Sequence, residues 1–167
     1  SIVPSSPLMM FYGEDMPAFL ETFPPTISIG YLPDIARLDL ALRQSYHAGD
    51  AASLDPEILQ STLPEKLMAS RITLAPATRL IRSKWPVHAI WAFNTLPDAP
   101  KSTMAAEDTL ILRADLDPEP HLLPPGGGAF VAATLAGQTF GEALETASTE
   151  TPAFDLSATL ALLISNN

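Results

Sequence analysis

Apolar positions recur with two distinct periods along this chain. From Tyr31 to Ala48 they fall at Leu32, Ile35, Leu38, Leu42 and Tyr46, close to the 3.6-residue repeat of a helix with one buried face. Pro33 stands in the first turn, where a missing N–H costs nothing, and Gly49-Asp50 ends the element. A shorter helix is predicted from Glu14 to Phe23, with Met16, Phe19, Leu20 and Phe23 on one side and Pro24-Pro25 as its stop. Residues 1–8 read as an extended lead-in. Ser53 to Glu57 carries a helix-start signal, with Pro56 near the first helical position, for a short helix ending near Ser61.

The period then changes. Ala69 to Ala75 alternates weakly before Pro76, and Thr78 to Arg82 is rich in strand formers, so this region predicts one or two strands. Trp85-Pro86 opens a helix from Val87 to Leu96 that buries Val87, Ile90 and Trp91, with Leu96 at the end of the same face. Pro97 to Ala106 is a loop. Thr109 to Arg113 is a strand, Asp117-Pro118 a turn, and His121 to Leu123 a strand pairing back on the first. Pro124 to Gly128 is a further turn. Three helices follow: Ala129 to Ala136, Thr139 to Thr149 and a last one capped by Asp155. Thr139 is the N-cap of the second, with Glu142 at the capping-box position.

This order predicts an α+β chain. An N-terminal helical segment, 1–62, precedes an α+β unit, 66–167, in which a small antiparallel sheet leads into a winged-helix-like module of three helices. The boundary is expected within 51–66. Seventeen prolines fall between the periodic segments and keep the elements short. The chain opens on Ser1 rather than Met, which suggests a piece of a longer protein. No apolar run reaches the roughly 18 residues of a membrane span.

Charge changes the picture. The net charge is −10, which disfavours nucleic acid and anionic membrane surfaces. The 54 residues from Ala114 to Asn167 hold no Lys or Arg and seven acids: Asp115, Asp117, Glu119, Glu142, Glu145, Glu150 and Asp155. A winged helix suggests DNA binding by shape, but phosphate neutralisation needs cations, and this module has none. The cations concentrate elsewhere. Lys66, Arg71, Arg79, Arg82 and Lys84 lie in a stretch, 66–97, without an acid. That stretch is able to meet phosphates or an acidic peptide; the alternatives are that it balances acidic surface of the same chain or packs under an upstream N-terminal part. On the long helix, Asp39, Arg43 and His47 stand four apart, either as a solvated ion-pair row or as a docking stripe.

No catalytic constellation is visible. With no Cys there is no disulfide, thiolate zinc site or cysteine nucleophile. His47, His88 and His121 sit on three elements without ligand spacing, so no metal site is predicted. Gly126-Gly127-Gly128 lacks the Gly-Lys-Ser/Thr end of a phosphate loop and reads as a tight turn before a helix. No G-x-S-x-G turn exists. Glu107-Asp108 is an acidic pair without a pocket signal. Trp85 and Trp91 read as core anchors. No catalytic residue and no cofactor is therefore assigned.

Three blocks carry a resemblance: Ser6 to Leu20 (SPLMMFYGEDMPAFL), Tyr31 to Leu40 (YLPDIARLDL) continuing to Tyr46-His47-Ala48, and Arg79 to Trp91 (RLIRSKWPVHAIW). Together they resemble the HvfC/BufC family, which carries a DNA-binding label and no assigned function. The likeness runs over nearly all of the chain. Members typically begin with a further helical domain, of which this chain would hold the tail, and show Glu where this chain has Asp39. The resemblance implies a cytoplasmic, non-catalytic accessory protein that helps present a ribosomally made precursor peptide, linked to copper handling, to a multinuclear iron enzyme. The C-terminal part is similar to peptide-recognition modules of the PqqD type, which add a peptide strand to a sheet edge beside the last helix. By that analogy the expected surface is the edge of 109–113 or 119–123 together with 155–164, with Leu110, Leu112, Arg113, Leu156 and Leu160 as contacts and Asp39 and Arg43 as a second candidate surface. The alternative is a transcriptional regulator whose DNA contacts come from the 66–84 basic stretch (Arg71, Arg79, Arg82, Lys84) or from an upstream domain.

Overall fold

The computed structural model describes residues 13–51, 58, 61–101 and 103–165. Among them are seven helices and three strands. In chain order these are α1 (Met16–Thr22), α2 (Leu32–Tyr46), α3 (Pro64–Ala69), β1 (Arg79–Ser83), α4 (Val87–Thr95), β2 (Glu107–Leu112), β3 (Glu119–Leu122), α5 (Gly127–Leu135), α6 (Phe140–Glu150) and α7 (Leu156–Ser165). The protein is a mixed α and β fold around one antiparallel sheet of order β1-β2-β3. No described helix is long and apolar enough to cross a membrane.

The sheet is covered on both sides, and the two-residue strand period assigns each side chain to a layer. Ile111 of β2 faces α2 and α4, where Leu38, Ala41 and Val87 form one buried cluster with Trp85 and Trp91 packed against it. Leu110 and Leu112 face the other way. They join Phe130, Val131, Phe140 and Ala143 of α5 and α6 in the larger cluster, with Leu156, Leu160, Leu162 and Leu163 of α7 packed on it. Near-continuous apolar character in β2 thus reflects burial on both faces. The described part of 1–62 holds helices and 66–167 holds both helices and strands, yet α2 packs directly on the sheet.

Local signals read in the sequence place the helix ends. Pro33 is buried at the start of α2. Thr139 accepts from the Glu142 amide at 3.3 Å while the Glu142 carboxylate accepts from the Thr139 amide at 2.7 Å, a complete capping box. Asp155 accepts from the Ala158 amide at 3.1 Å and caps α7. Gly126, at φ 81°, makes the left-handed turn into α5.

Residues 69–82 hold a single strand, β1, preceded by the helix α3 and an irregular stretch from Ser70 to Thr78. Ile72 and Leu74 alternate inward against the larger cluster, but their peptide groups join no ladder, and side-chain alternation alone does not make a strand. Helix α3 went unread, although Pro64 in its first turn and Glu65 beside it are start signals. The expected buried face of α4 is corrected as well: only Val87 is buried, Ile90 and Trp91 are half-buried, and Leu96 is exposed. The predicted helix from Ser53 lies largely outside the described residues, although Ile58 and Ser61 are helical. The extended lead-in 1–8 lies outside them altogether.

Candidate functional site

The hydrogen-bond register of the sheet decides which strand can accept a further one. The Leu123 amide donates to the Asp108 carbonyl at 2.9 Å. Antiparallel neighbours exchange bonds at every second pair. Leu110 with His121 and Leu112 with Glu119 are therefore bonded pairs, and the peptide groups of Pro120 and Leu122 point away from β2. By the same alternation Ile111, Thr109 and Glu107 bond to Arg79, Ile81 and Ser83, leaving those of Leu80 and Arg82 pointing outward from β1.

This corrects the expected 109–113 edge. Strand β2 is central, with a neighbour on each side, and offers no free edge. Leu110 and Leu112 are buried core residues, and Leu156 and Leu160 pack against the same cluster, so the structure brings these four together as core. The 119–123 segment is an edge, but a poorly equipped one. Pro120 has no N–H to offer on that side. Within β3 only Leu122 presents an outward N–H. A proline of this kind protects a strand from stray pairing.

Arg113 also has a different task from the expected one. Its guanidinium is 7% exposed and donates to the carbonyls of Ser45 at 2.9 Å, Tyr46 at 2.8 Å and Ala48 at 3.0 Å, and to the Asp50 carboxylate at 2.7 Å. These carbonyls lie at and just past the C-terminus of α2, where a cation is favoured by the helix dipole. Arg113 therefore ties the end of β2 to the end of α2. On α2 itself Asp39 is surface-exposed, with its carboxyl pushed up by partial burial. Arg43 has Nε and Nη2 buried without a hydrogen-bond partner, and among the described residues Asp39 and Arg43 form no ion pair.

The cations of the 66–84 stretch are dispersed rather than gathered into a patch. Arg71 donates to the Gly137 carbonyl at 2.8 Å, just past the end of α5. Arg79 donates to the carbonyls of Pro76 and Thr78. Arg82 pairs with Asp108 and Glu150, which raises its own pKa, and its hydrogen bond holds the Glu150 carboxyl below the usual carboxylate range. Lys84 lies over the Trp85 ring, 5.5 Å from its centroid. Balance of acidic surface within the chain thus accounts for Arg82.

The acidic pair on β2 points to opposite faces of the sheet. Glu107 accepts from the Ala89 amide at 3.0 Å in the first turn of α4. Asp108 lies against Gly128 in the first turn of α5, where a Cβ would come within 1.9 Å of its Oδ2. The glycine run that evokes a phosphate loop is therefore already faced by a carboxylate of the chain. Residues from Arg82 to Lys84, Ala105 to Asp108 and Leu122 to Gly126 line an open groove of about 780 Å³ across this end of the sheet.

The histidines do not converge into a metal cluster among the described residues. His47 meets Tyr46 edge to face, with ring centroids 5.2 Å apart. His88 has its pKa lowered, chiefly by burial, against the opposing pull of Glu107 and the Pro120 carbonyl and with a small further lowering by His121. Sequence reasoning missed the interior tasks of Glu107, His88 and Arg113, because each partner lies 18 or more residues away. It also missed the β1 edge, whose only visible signal was a proline-free run from Ala77 to Trp85. No protein-family model, curated protein or solved structure matches this chain.

Proposed function

We propose that this protein is a non-catalytic accessory protein that holds a ribosomally made precursor peptide in extended form for a partner multinuclear iron enzyme. The observation that carries the reading is the small open sheet, which has outward peptide groups at an edge. Strand addition draws its affinity from main-chain hydrogen bonds, so it does not need the cations that 114–167 lacks. The resemblance of the three sequence blocks supplies the class of partner, and it makes the cytoplasm the expected compartment. On this reading the sheet with α5, α6 and α7 is a winged-helix-like peptide-recognition module.

Regulation by DNA contact is the weaker reading. The apolar and hydroxylic residues of α7 offer no charged donor to guanine or phosphate. Of the basic stretch, Arg82 is already neutralised by two carboxylates.

Co-purification tests the choice. The protein should retain the iron enzyme and its precursor peptide, and should bind duplex DNA no more tightly than about 10⁻⁴ M at physiological salt, the weak end of non-specific binding. Salt-sensitive duplex binding without enzyme or peptide binding would overturn the accessory role.

A further inference from the structure

We infer that the capture edge is the outer edge of β1, and that its ligand is an extended acidic peptide. This rests on the peptide-binding reading above and adds to it the strand and the chemistry of the occupant. The first observation is the register. Leu80 and Arg82 each direct an N–H and a C=O away from β2, and among the described residues these four groups have no hydrogen-bond partner. An unpaired peptide group seeks either water or another strand. β1 offers two outward donors, against one on β3, and no proline from Ala77 to Trp85 interrupts it.

The second observation is charge. Arg79 begins the strand and Lys84 follows its last residue. Among the described residues neither pairs with a carboxylate, in a chain with 19 acids and 9 Lys and Arg. Five residue steps at about 3.3 Å separate them by roughly 17 Å. A strand laid along β1 would place side chains about five positions apart beside these two cations. A peptide of about six residues with an acid at each end meets both. Lys84 also lines the open groove at that end of the sheet, which leaves room for the peptide to continue past the strand. A second copy of the chain is the poorer occupant, because antiparallel edge pairing would set Arg79 and Lys84 of one copy near the same cations of the other.

The test uses the full chain, ¹⁵N-labelled, with a synthetic peptide carrying Glu at both ends of a Thr-Val-Thr-Val centre, and a counterpart with Lys in place of Glu. Amide exchange of Leu80 and Arg82 should slow when the acidic peptide is added, while Leu122 keeps its free rate. Lys84→Glu should weaken binding about three- to tenfold, in the range of one exposed charge pair made repulsive. Arg79→Glu should do the same. Protection of Leu122 without Leu80 and Arg82 would overturn the β1 assignment and leave the peptide-binding role standing. Equal binding of the Lys peptide would overturn the acidic specificity. Concentration-dependent protection of Leu80 and Arg82 without peptide would give the edge to a second copy. If neither synthetic peptide protects the edge, the proposal fails, and retention of the precursor peptide in the co-purification then separates that failure from failure of the accessory role.

Discussion

Arg113 shows how much one side chain can hold. It satisfies carbonyls of Ser45, Tyr46 and Ala48 from a position that water barely reaches. Arg113→Ala removes a shared donor from these carbonyls, of which that of Ser45 keeps only the Ala48 amide. The expected cost is about 3 kcal/mol, from several charge-assisted bonds lost together, seen as a lower urea midpoint. Asp50, the one carboxylate in the arrangement, is 97% exposed. Asp50→Asn should therefore shift stability by less than about 0.5 kcal/mol in the same assay. Gly128 is equally constrained for a steric reason. An added methyl would strike the Asp108 carboxylate and approach its Cβ to 2.7 Å. Gly128→Ala should cost on the order of 1–3 kcal/mol. Much of that cost should disappear when measured in an Asp108→Ala background, and a double-mutant cycle showing no coupling would refute the contact.

At the scale of elements, the chain uses two kinds of device. Helix ends are closed by local chemistry, as in the capping box of α6. Thr139→Ala should destabilise the protein by about 1 kcal/mol, in thermal or urea unfolding, because the Glu142 amide loses its acceptor. Elements are joined by side chains that reach across. Arg37 of α2 pairs with Glu21 of α1 and with Asp34. The Ser83 hydroxyl at the end of β1 donates to Asp34 at 2.6 Å and accepts from the Trp85 amide at 3.0 Å. The edges of the sheet are likewise unequal by composition. β3 carries Pro120 on its outward side, while β1 carries Leu80 and Arg82 there, so the same three-strand ladder has one blunted and one open edge.

At the scale of the whole molecule, acidity should reveal the burial of His88 between α4 and β3. Its pKa is lowered in the folded state, mainly because burial disfavours the imidazolium. The unfolded chain then binds this proton at a higher pH than the folded one. The His88 contribution to stability is complete above the ordinary histidine value of about 6.5 and declines as pH falls through the lower folded value. A His88→Gln chain should lose less stability than the unaltered protein between pH 7 and pH 5. An NMR titration of His88 with its midpoint at or above the ordinary value would remove the basis for this expectation.

Much of the local architecture was legible because its causes are local. The 3.6-residue repeat of α2, the Thr139-to-Glu142 spacing, Asp155 before α7 and the glycine turn before α5 each act within a few residues. So did the pairing of β3 back on β2, which a short turn imposes. The site was far less legible. Leu110 and Leu112 alternate with Ile111 in a run that a central strand and an edge strand can share, and only the neighbours on both sides distinguish the two. Arg113, Arg82 and Glu107 look like surface charges in sequence, yet their partners lie 68 to 18 residues away. Short-range patterning therefore settled most of the helices and strands, though not α3 or the irregular stretch before β1, and it settled that 114–167 lacks cations. Which edge stays open, and which charges remain unspent, depended on long-range strand register and on side chains meeting across layers, because a hydrogen-bonding group's availability is set by what the fold places beside it.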